Sequence, residues 1–337
     1  MKDNDVINGG NNKTSFFKKW NWKELLAMVF ILVAVYFFWN QRKELQSLGT
    51  SLKNTNLLWL AIGIVLTIVY ILLQAGLYVY SFLAIGGKIS WLSAIDLFLK
   101  RNVIAVFLPG GGLTALAYLP SSIKESQQNK QQVHHASVIY GFIGIFSVFI
   151  VAVPVLLYLS VIDAKVPGTT AGLITIVVML TTMGLFVKSV QTKGSFYRWV
   201  IKDRPKLEKF LTDIFAFDLS MRQFWNATIV SVLIEVVGVV HLYISMLAAG
   251  VQPSLVASIV GYIVATIFLI ISPFLRGMGA IEVSLTFILK KYGFTIVNSL
   301  QIALLFRFFE FWLPLLAGLI YYLDKLRQIT VKWFGKK

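Results

Sequence analysis

Long apolar runs separated by short polar segments dominate the pattern of residues along the chain. The clearest runs approach or exceed the roughly 20 residues that cross a bilayer as a helix: Leu57–Leu83, Val133–Ser160 and Leu255–Ile271. Six segments are predicted to be full spans, at about Lys23–Asn40, Leu57–Leu83, Val133–Ser160, Ala171–Val187, Phe224–Ala249 and Leu300–Leu323. The pattern predicts an all-α polytopic integral membrane protein.

Proline and glycine interrupt two further apolar segments. The breaks are Pro109-Gly110-Gly111-Gly112 within Trp91–Pro120, and Ser272-Pro273 with Gly277 and Gly279 within Leu255–Lys290. Backbone left unpaired at membrane depth persists only inside protein or beside a water-filled cavity. The parts that follow the breaks, Thr114–Leu119 and Ala280–Leu289, are too short to cross the membrane alone. Both segments are therefore predicted to be re-entrant helical hairpins.

Composition and charge agree with a membrane protein and give it an orientation. Hydrophobic residues make up 57% of the chain, against roughly 45–50% in soluble domains. With a cytoplasmic N-terminus, the predicted inside segments hold 23 of the 31 Lys and Arg residues and the outside segments hold six. Cytoplasmic loops carry such an excess, so both termini are predicted to be cytoplasmic. The net charge of +16 is attributed to loops that face anionic lipid, not to nucleic-acid binding.

The order span, span, hairpin, span occurs twice, at about residues 23–160 and 166–323, which predicts an inverted repeat whose hairpin tips meet near the midplane. Residues 1–20 are predicted to be a disordered basic tail, and residues 21–324 a single membrane domain with a basic loop at 188–222. Residues 325–337 form a second basic tail. Interrupted segments at corresponding positions of two halves point to a transport site.

Ionisable residues within the spans are the candidates for chemistry, because a charge at membrane depth is costly unless it is paired or hydrated. Glu235 lies near the centre of its span. It serves either a transport pathway or a pair with an arginine that holds helices together. Arg307 and Glu310 lie three residues apart on the last span, which allows a local ion pair or a pathway role.

Two further sets of charges lie close to the breaks. Arg276 and Glu282 flank Gly277-Met278-Gly279 in the second hairpin, where a cation and freed amides at a half-helix terminus would suit a lipid phosphate. The alternative is that Arg276 only caps the broken helix. Lys100 and Arg101 precede the first break. On a cytoplasmic hairpin they would attract anionic headgroups or enforce the positive-inside bias.

Other kinds of site have little support. The chain has no cysteine, which excludes disulfides, thiolate metal sites and a Cys nucleophile. His134 and His135 are neighbours about 100° apart on a helix, the wrong geometry for one metal. His241 is predicted to be packed or to face a cavity. No metal, cofactor or catalytic residue is predicted.

Both broken elements resemble a known family. Ser272-Pro273, Gly277-Met278-Gly279-Ala280-Ile281-Glu282 and the trailing Arg307 are similar to its second element, and Arg101-Asn102 with Leu108-Pro109-Gly110-Gly111-Gly112 to its first. The family is the membrane region of bacterial lysylphosphatidylglycerol synthase/flippases and of relatives that lack the synthase domain. The resemblance covers about Trp22–Leu323, but Phe274-Leu275-Arg276 stands where many members have Pro-Gly-Gly.

The resemblance implies a flippase-like protein of the bacterial cytoplasmic membrane that moves a polar or aminoacylated phospholipid, such as lysyl-phosphatidylglycerol, between leaflets. The candidate pathway residues are Arg101, Pro109, Gly110, Gly111, Gly112, Glu235, Pro273, Arg276, Gly277, Gly279, Glu282, Arg307 and Glu310. No ATPase motif is present, so movement would be downhill or coupled to an ion. Glu235 and Glu310 are candidate proton carriers.

In full-length family members a soluble C-terminal domain transfers an aminoacyl group from tRNA to phosphatidylglycerol. Only fourteen residues, Asp324–Lys337, follow the last predicted span, so this chain alone is not expected to be an enzyme. Two alternatives stay open: a membrane platform for a separate synthase, and a secondary transporter for a small anion. The expected partners are an anionic or aminoacylated phospholipid and the bilayer, with a separate synthase and a second copy of the chain as further candidates.

Overall fold

The computed structural model describes residues 55–107, 130–162, 219–271 and 279–321, with scattered residues at 46–52 and 174–202. The four continuous ranges contain helices and no strand. The helices are α1 Leu57–Ala84, α2 Trp91–Phe107, α3 Lys130–Ile162, α4 Met221–Ala248, α5 Leu255–Ile271, α6 Ala280–Lys291 and α7 Ile296–Tyr321. Within this part of the chain the predicted all-α class is confirmed.

Four of the described helices are long and apolar enough to cross a membrane: α1, α3 over Gln132–Val155, α4 and α7. They correspond to four of the six predicted spans. The other two, at about Lys23–Asn40 and Ala171–Val187, lie outside the continuously described ranges. The total of six spans and the inverted repeat therefore stay predictions.

Helices α1 and α4 form an antiparallel pair in contact at both ends. The Asn56 N–H at the start of α1 donates to Ala248 O at the end of α4, at 2.9 Å. At the opposite end, the Ser220 N–H that precedes α4 donates to Ala84 O at 2.8 Å. Each helix has 28 residues, about 42 Å at 1.5 Å per residue, so both can cross a bilayer completely.

The interior consists of two main apolar clusters separated along the bundle. The first contains residues of α1, α2, α3 and α4, among them Leu77, Phe82, Leu97, Ile143 and Ala227. The second contains residues of α4, α5, α6 and α7, among them Leu242, Met246, Ala265, Leu285 and Phe306. On the outer face of α1, Val65, Ile68 and Leu72 are exposed at helical spacing, as expected of a surface that contacts lipid.

The second predicted hairpin is described in its two arms. Tyr262 and Ala265 of α5 belong to the same cluster as Ile281 and Leu285 of α6, so these helices pack together. Helix α6 has 12 residues, about 18 Å, well short of the roughly 30 Å hydrocarbon core. Its N-cap, Gly279, has φ +79°, a conformation that favours glycine. The predicted tips, Pro109–Gly112 and the Pro273–Gly277 part of the second tip, lie outside the described residues.

Helix α7 contains one π-helical turn, Phe308–Trp312, in which the Leu313 N–H donates to Phe308 O. The sequence explains this turn. Pro314 has no N–H, and its ring would clash with the carbonyl four residues earlier in an α-helix. The wider turn accommodates Pro314, and it leaves Phe309 O without the Leu313 N–H that an α-helix would supply. The Thr67 hydroxyl of α1 donates to Phe309 O at 3.2 Å.

Candidate functional site

Helices α4, α6 and α7 bring five ionisable side chains into the interior of the bundle. They are Glu235 and His241 of α4, Glu282 of α6, and Arg307 and Glu310 of α7. Arg307 lies just before the π turn and Glu310 lies within it. One helix therefore carries two charged groups into different surroundings.

Glu282 and Arg307 form a buried ion pair between α6 and α7. Arg307 Nε lies 2.6 Å from Glu282 Oε1, and the guanidinium lies over the Phe311 ring at 4.3 Å from its centroid. Arg307 is only 3% exposed. Arg307 Nε and Nη2 and both carboxylate oxygens of Glu282 are buried without a hydrogen bond among the described residues, so the contact is an ion pair whose atoms are not aligned as a hydrogen bond.

This pairing corrects one sequence-based alternative and adds a partner to another prediction. A local pair between Arg307 and Glu310 was one alternative, and it is wrong, because Arg307 turns to Glu282 on a neighbouring helix. Glu282 was expected to orient Arg276 or to contact a cationic headgroup. Its partner in the described residues is Arg307, while Arg276 lies outside them.

Glu310 pairs with His241 across the interface between α7 and α4. Glu310 Oε1 lies 2.5 Å from His241 Nδ1, and the imidazole stacks on the Phe309 ring at 5.5 Å between centroids. The other ring nitrogen, Nε2, lies 3.4 Å from the Thr67 hydroxyl. His241 is fully buried, in agreement with its prediction as a packed residue. It is an ionisable partner of Glu310 as well.

Glu235 is held by hydroxyl groups from two other helices. Ser147 of α3 donates to Oε1 at 2.9 Å, and Tyr262 of α5 donates to Oε2 at 2.8 Å. No arginine of the described residues pairs with Glu235, and Arg276 lies outside them, so the alternative of an arginine partner stays a prediction. Gly238 makes the tyrosine contact possible: a Cβ there would lie 2.0 Å from the Tyr262 ring, so any side chain at position 238 would push the ring away from Glu235.

Lys100 and Arg101 of α2 are buried, and their predicted role towards headgroups or the positive-inside bias stays a prediction. Lys100 Nζ lies 2.8 Å from Asp96 Oδ2 one turn earlier, with both side chains buried. Arg101 is 3% exposed, and its Nη1 donates to the Tyr78 hydroxyl at 3.2 Å. Tyr78 in turn stacks on Tyr140 of α3 at 3.9 Å between ring centroids. The basic pair is part of the bundle interior.

The chain matches a known family of membrane proteins. Residues 25–318 match the family described as the lysylphosphatidylglycerol synthase TM region. The chain belongs to this family. The predicted resemblance is thereby confirmed, and family membership places the chain in the membrane with a role in lysyl-phospholipid metabolism. No curated protein and no solved structure matches the chain.

Several residues of this family member's polar interior were missed at the sequence level. Tyr262, Ser147 and Thr67 all contact an ionisable side chain, but each is a common residue within an apolar helix. One signal was available. Ser231, Glu235 and Gly238 recur at helical spacing, and this pattern marks the face of α4 that receives the hydroxyls.

The remaining candidate pathway residues cannot be joined to this cluster. Pro109, Gly110, Gly111, Gly112, Pro273, Arg276 and Gly277 lie outside the described residues, and Gly279 is the N-cap of α6. Within the described part of the chain, no group of three or more His, Asp or Glu side chains is placed to hold a metal ion. The described residues form a cluster of buried ionisable and hydroxyl side chains.

Proposed function

We propose that this protein translocates a polar or aminoacylated phospholipid, such as lysyl-phosphatidylglycerol, between the leaflets of a membrane. Family membership supports the lipid class. The polar interior of α4, α6 and α7 supports a route for a headgroup, because intramembrane charges mark substrate pathways in membrane proteins. The acyl chains would remain in lipid while the headgroup passes along the buried polar groups.

The observation that carries this proposal is the incomplete pairing of Glu282 and Arg307. Leaving a buried donor or acceptor unpaired costs about 1–3 kcal/mol, and more for charged groups. Arg307 Nη2 and Glu282 Oε2 are such atoms within the described residues. An aminoacylated phospholipid carries an anionic phosphate and a cationic ammonium. The phosphate would accept from Arg307, and the ammonium would donate to Glu282.

We assign Arg276 to the same headgroup site on the sequence. It precedes the break that ends at Gly279, the N-cap of α6, where free amides and the helix dipole favour an anion. A charge-assisted contact with a phosphate contributes about 1.5–3 kcal/mol. Its loss in Arg276→Ala should therefore weaken lipid engagement by about 10- to 100-fold. Arg276→Lys should restore only part, because lysine lacks the bidentate fork.

The test combines lipidomics with labelling of the outer leaflet by a membrane-impermeant amine reagent, in cells with and without the protein. We expect the protein to raise the labelled fraction of lysyl-phosphatidylglycerol without changing its total amount. Arg276→Ala should lower that fraction at matched membrane abundance. An unchanged labelled fraction on removing the protein contradicts translocation. Wild-type labelling with Arg276→Ala leaves this residue as a helix cap only.

A second candidate function is favoured by the family description, which names a synthase. In this alternative the chain is a membrane platform for a separate aminoacyl-phospholipid synthase. The same experiment separates the two functions. Loss of a platform reduces the total lysyl-phosphatidylglycerol, whereas loss of a translocase changes only its distribution between leaflets.

A further inference from the structure

The hydrogen bonds around His241 define how many protons its pair with Glu310 holds. The Thr67 hydroxyl has one hydrogen, and it faces two backbone carbonyls, Gly63 O at 3.0 Å and Phe309 O at 3.2 Å. Carbonyls only accept, so this hydroxyl donates to one of them and presents a lone pair to His241. In that arrangement His241 Nε2 carries the hydrogen that faces Thr67, at 3.4 Å between the heavy atoms.

The opposite side of the imidazole then needs one more proton. Nδ1 lies 2.5 Å from Glu310 Oε1, a distance at which a lone pair cannot face a carboxylate without repulsion. The proton lies either on Nδ1, opposite an ionised Glu310, or on Glu310, opposite a neutral imidazole. In both cases His241 and Glu310 together hold one shared proton. The geometry is that of a proton-loaded pair.

We propose that the His241–Glu310 pair is a proton-binding site that couples proton movement to passage of the lipid headgroup. Loading adds one proton between Nδ1 and Oε1. Release returns that proton to water and leaves a neutral imidazole beside a carboxylate, a weaker contact than that between an imidazolium and a carboxylate. Glu310 retains 14% side-chain exposure, so the pair is open at one side. The inference rests on the proposed function, because the headgroup site is its second partner.

The π turn connects the two sites. Glu310 lies within it, and Arg307, which pairs with Glu282, immediately precedes it. A π turn holds one residue more than an α turn, so a shift towards α-helical hydrogen bonding would rotate the two parts of α7 against each other. Proton release would favour such a shift by separating Glu310 from His241. Arg307 would then move relative to Glu282, and the headgroup site would change with it.

The ionisable groups described around this pair have contacts of their own. Its ionisable neighbours are Tyr70 of α1 against the imidazole, and Glu235 and Tyr262, which are bonded to each other and interact electrostatically with Glu310. Arg307 and Glu282 neutralise one another. From α2, Lys100 pairs with Asp96 and Arg101 contacts Tyr78. The group that contacts this site from α3 is the Ser147 hydroxyl, through Glu235.

The first experiment measures the pair without any lipid transport. The full chain in nanodiscs of phosphatidylcholine and phosphatidylglycerol is followed by hydrogen exchange across residues 308–312, between about pH 5 and 8, where imidazole ordinarily titrates. We expect the protection factor, corrected for the intrinsic pH dependence of exchange, to fall by about tenfold as the proton leaves. Glu310→Gln should abolish this change, because an amide N–H replaces the shared proton at every pH.

Glu282→Gln is the matched control, since it neutralises the other buried carboxylate that pairs with α7. It should keep the pH-dependent protection of residues 308–312. Protection that does not change with pH in the wild-type protein overturns the proton-binding site. Loss of the pH response in Glu282→Gln as well as in Glu310→Gln also overturns it, because the response would then belong to buried charge in general.

The second experiment measures coupling in proteoliposomes of phosphatidylcholine with a few per cent lysyl-phosphatidylglycerol, using an impermeant amine reagent outside and a pH-sensitive dye inside. We expect an imposed pH gradient to change the initial rate of lipid appearance by about tenfold, and Glu310→Gln to remove that dependence. If the rate of lipid movement does not depend on the pH gradient, coupling to protons is overturned and the translocase function stands. Absence of lipid movement contradicts the translocase, and hydrogen exchange then still decides the proton site.

Discussion

Helix α7 carries two buried pairs three residues apart, and they differ in what holds them together. Arg307, the partner of Glu282, keeps its charge at every physiological pH, because arginine does not lose its proton in proteins. His241 and Glu310 form an ion pair only while the imidazole carries a proton on both nitrogens. Both pairs connect α7 to another helix, one to α6 and the other to α4. The first is a permanent connection, and the second depends on its occupancy.

This difference shows how one helix can combine a fixed site with a variable one. The π turn begins directly after Arg307 and contains Glu310, so the two parts of α7 need not move as a rigid rod. Glu235 offers a third situation. Its partners within the described residues are hydroxyls, and it connects α4 to α3 and α5 without an opposite charge. Stability measurements can separate these three situations.

The largest effect is expected from breaking the permanent pair. Arg307→Met leaves Glu282 buried and uncompensated, so the free energy of unfolding should fall by about 3–5 kcal/mol. The measurement is a denaturant titration in mixed micelles. The double variant Glu282→Leu with Arg307→Met removes both charges and should recover most of the loss. A single variant as stable as the wild type would show that Glu282 finds another partner.

The next largest effect tests the carboxylate that is held by hydroxyls. Tyr262→Phe keeps the ring on Gly238 but removes a donor to Glu235, which should cost about 1.5–3 kcal/mol if the acceptor is charged. Tyr140→Phe is the control, since Tyr140 donates to the neutral amide of Gln74, and it should cost about 0.5–1.5 kcal/mol. Equal losses in the same titration would argue that Glu235 behaves as a neutral group.

A glycine in α1 tests how the π turn packs against that helix. A Cβ on Gly63 would lie 2.3 Å from the fully buried Phe309 ring, so Gly63→Ala should destabilise the fold by about 1–3 kcal/mol through overpacking. It should also raise hydrogen exchange in residues 308–312 more than in α6. Gly144→Ala in α3 is the control, because no atom lies within 4 Å of its added Cβ, and alanine there should be neutral or stabilising by up to about 1 kcal/mol. Equal behaviour of the two variants would contradict the packing argument.

The smallest effect is expected at Thr67, which contacts both His241 and the carbonyl freed by the π turn. Thr67→Val keeps the shape and removes the hydroxyl, and interhelical hydrogen bonds in membranes average about 0.6 kcal/mol. Thr228→Val is the matched control. Its hydroxyl donates to Phe224 O within its own helix, so its loss breaks no contact between helices. The unfolding temperature should fall more for Thr67→Val than for Thr228→Val. A larger fall for Thr228→Val would contradict a stabilising contact of the Thr67 hydroxyl with His241 and Phe309 O.

Much of the fold was predictable because the bilayer restricts what a sequence can do. Length and apolarity identify α1, α3, α4 and α7 as helices able to span, and the shortness of α6 follows from the distance between its glycine cap and Tyr292. The π turn was not predicted. Its cause, Pro314, is visible in the sequence, but proline near the end of a span is also compatible with a simple kink.

Partners of the buried charges were less predictable than their burial. Glu235, Arg307 and Glu310 were expected inside the bundle because lipid penalises charge. Which residue meets which depends on how the helices are rotated. Arg307 pairs with Glu282 and not with the residue three positions away on its own helix. Among the described residues, Glu235 is held by hydroxyls. The burial of Lys100 and Arg101 was not predicted, because positive charge close to a break is usual in cytoplasmic loops.

The antiparallel contact of α1 and α4 has a consequence for how the chain enters the membrane. About 140 residues separate the end of α1 from the start of α4, so at 5–20 residues per second α1 waits on the order of 10 s for its partner. Throughout that time the face of α1 that bears Thr67, Gln74 and Ser81 lacks the partner that will cover much of it. Insertion of this protein therefore requires a protected waiting place for α1, beside the translocation machinery or against the helices made in between.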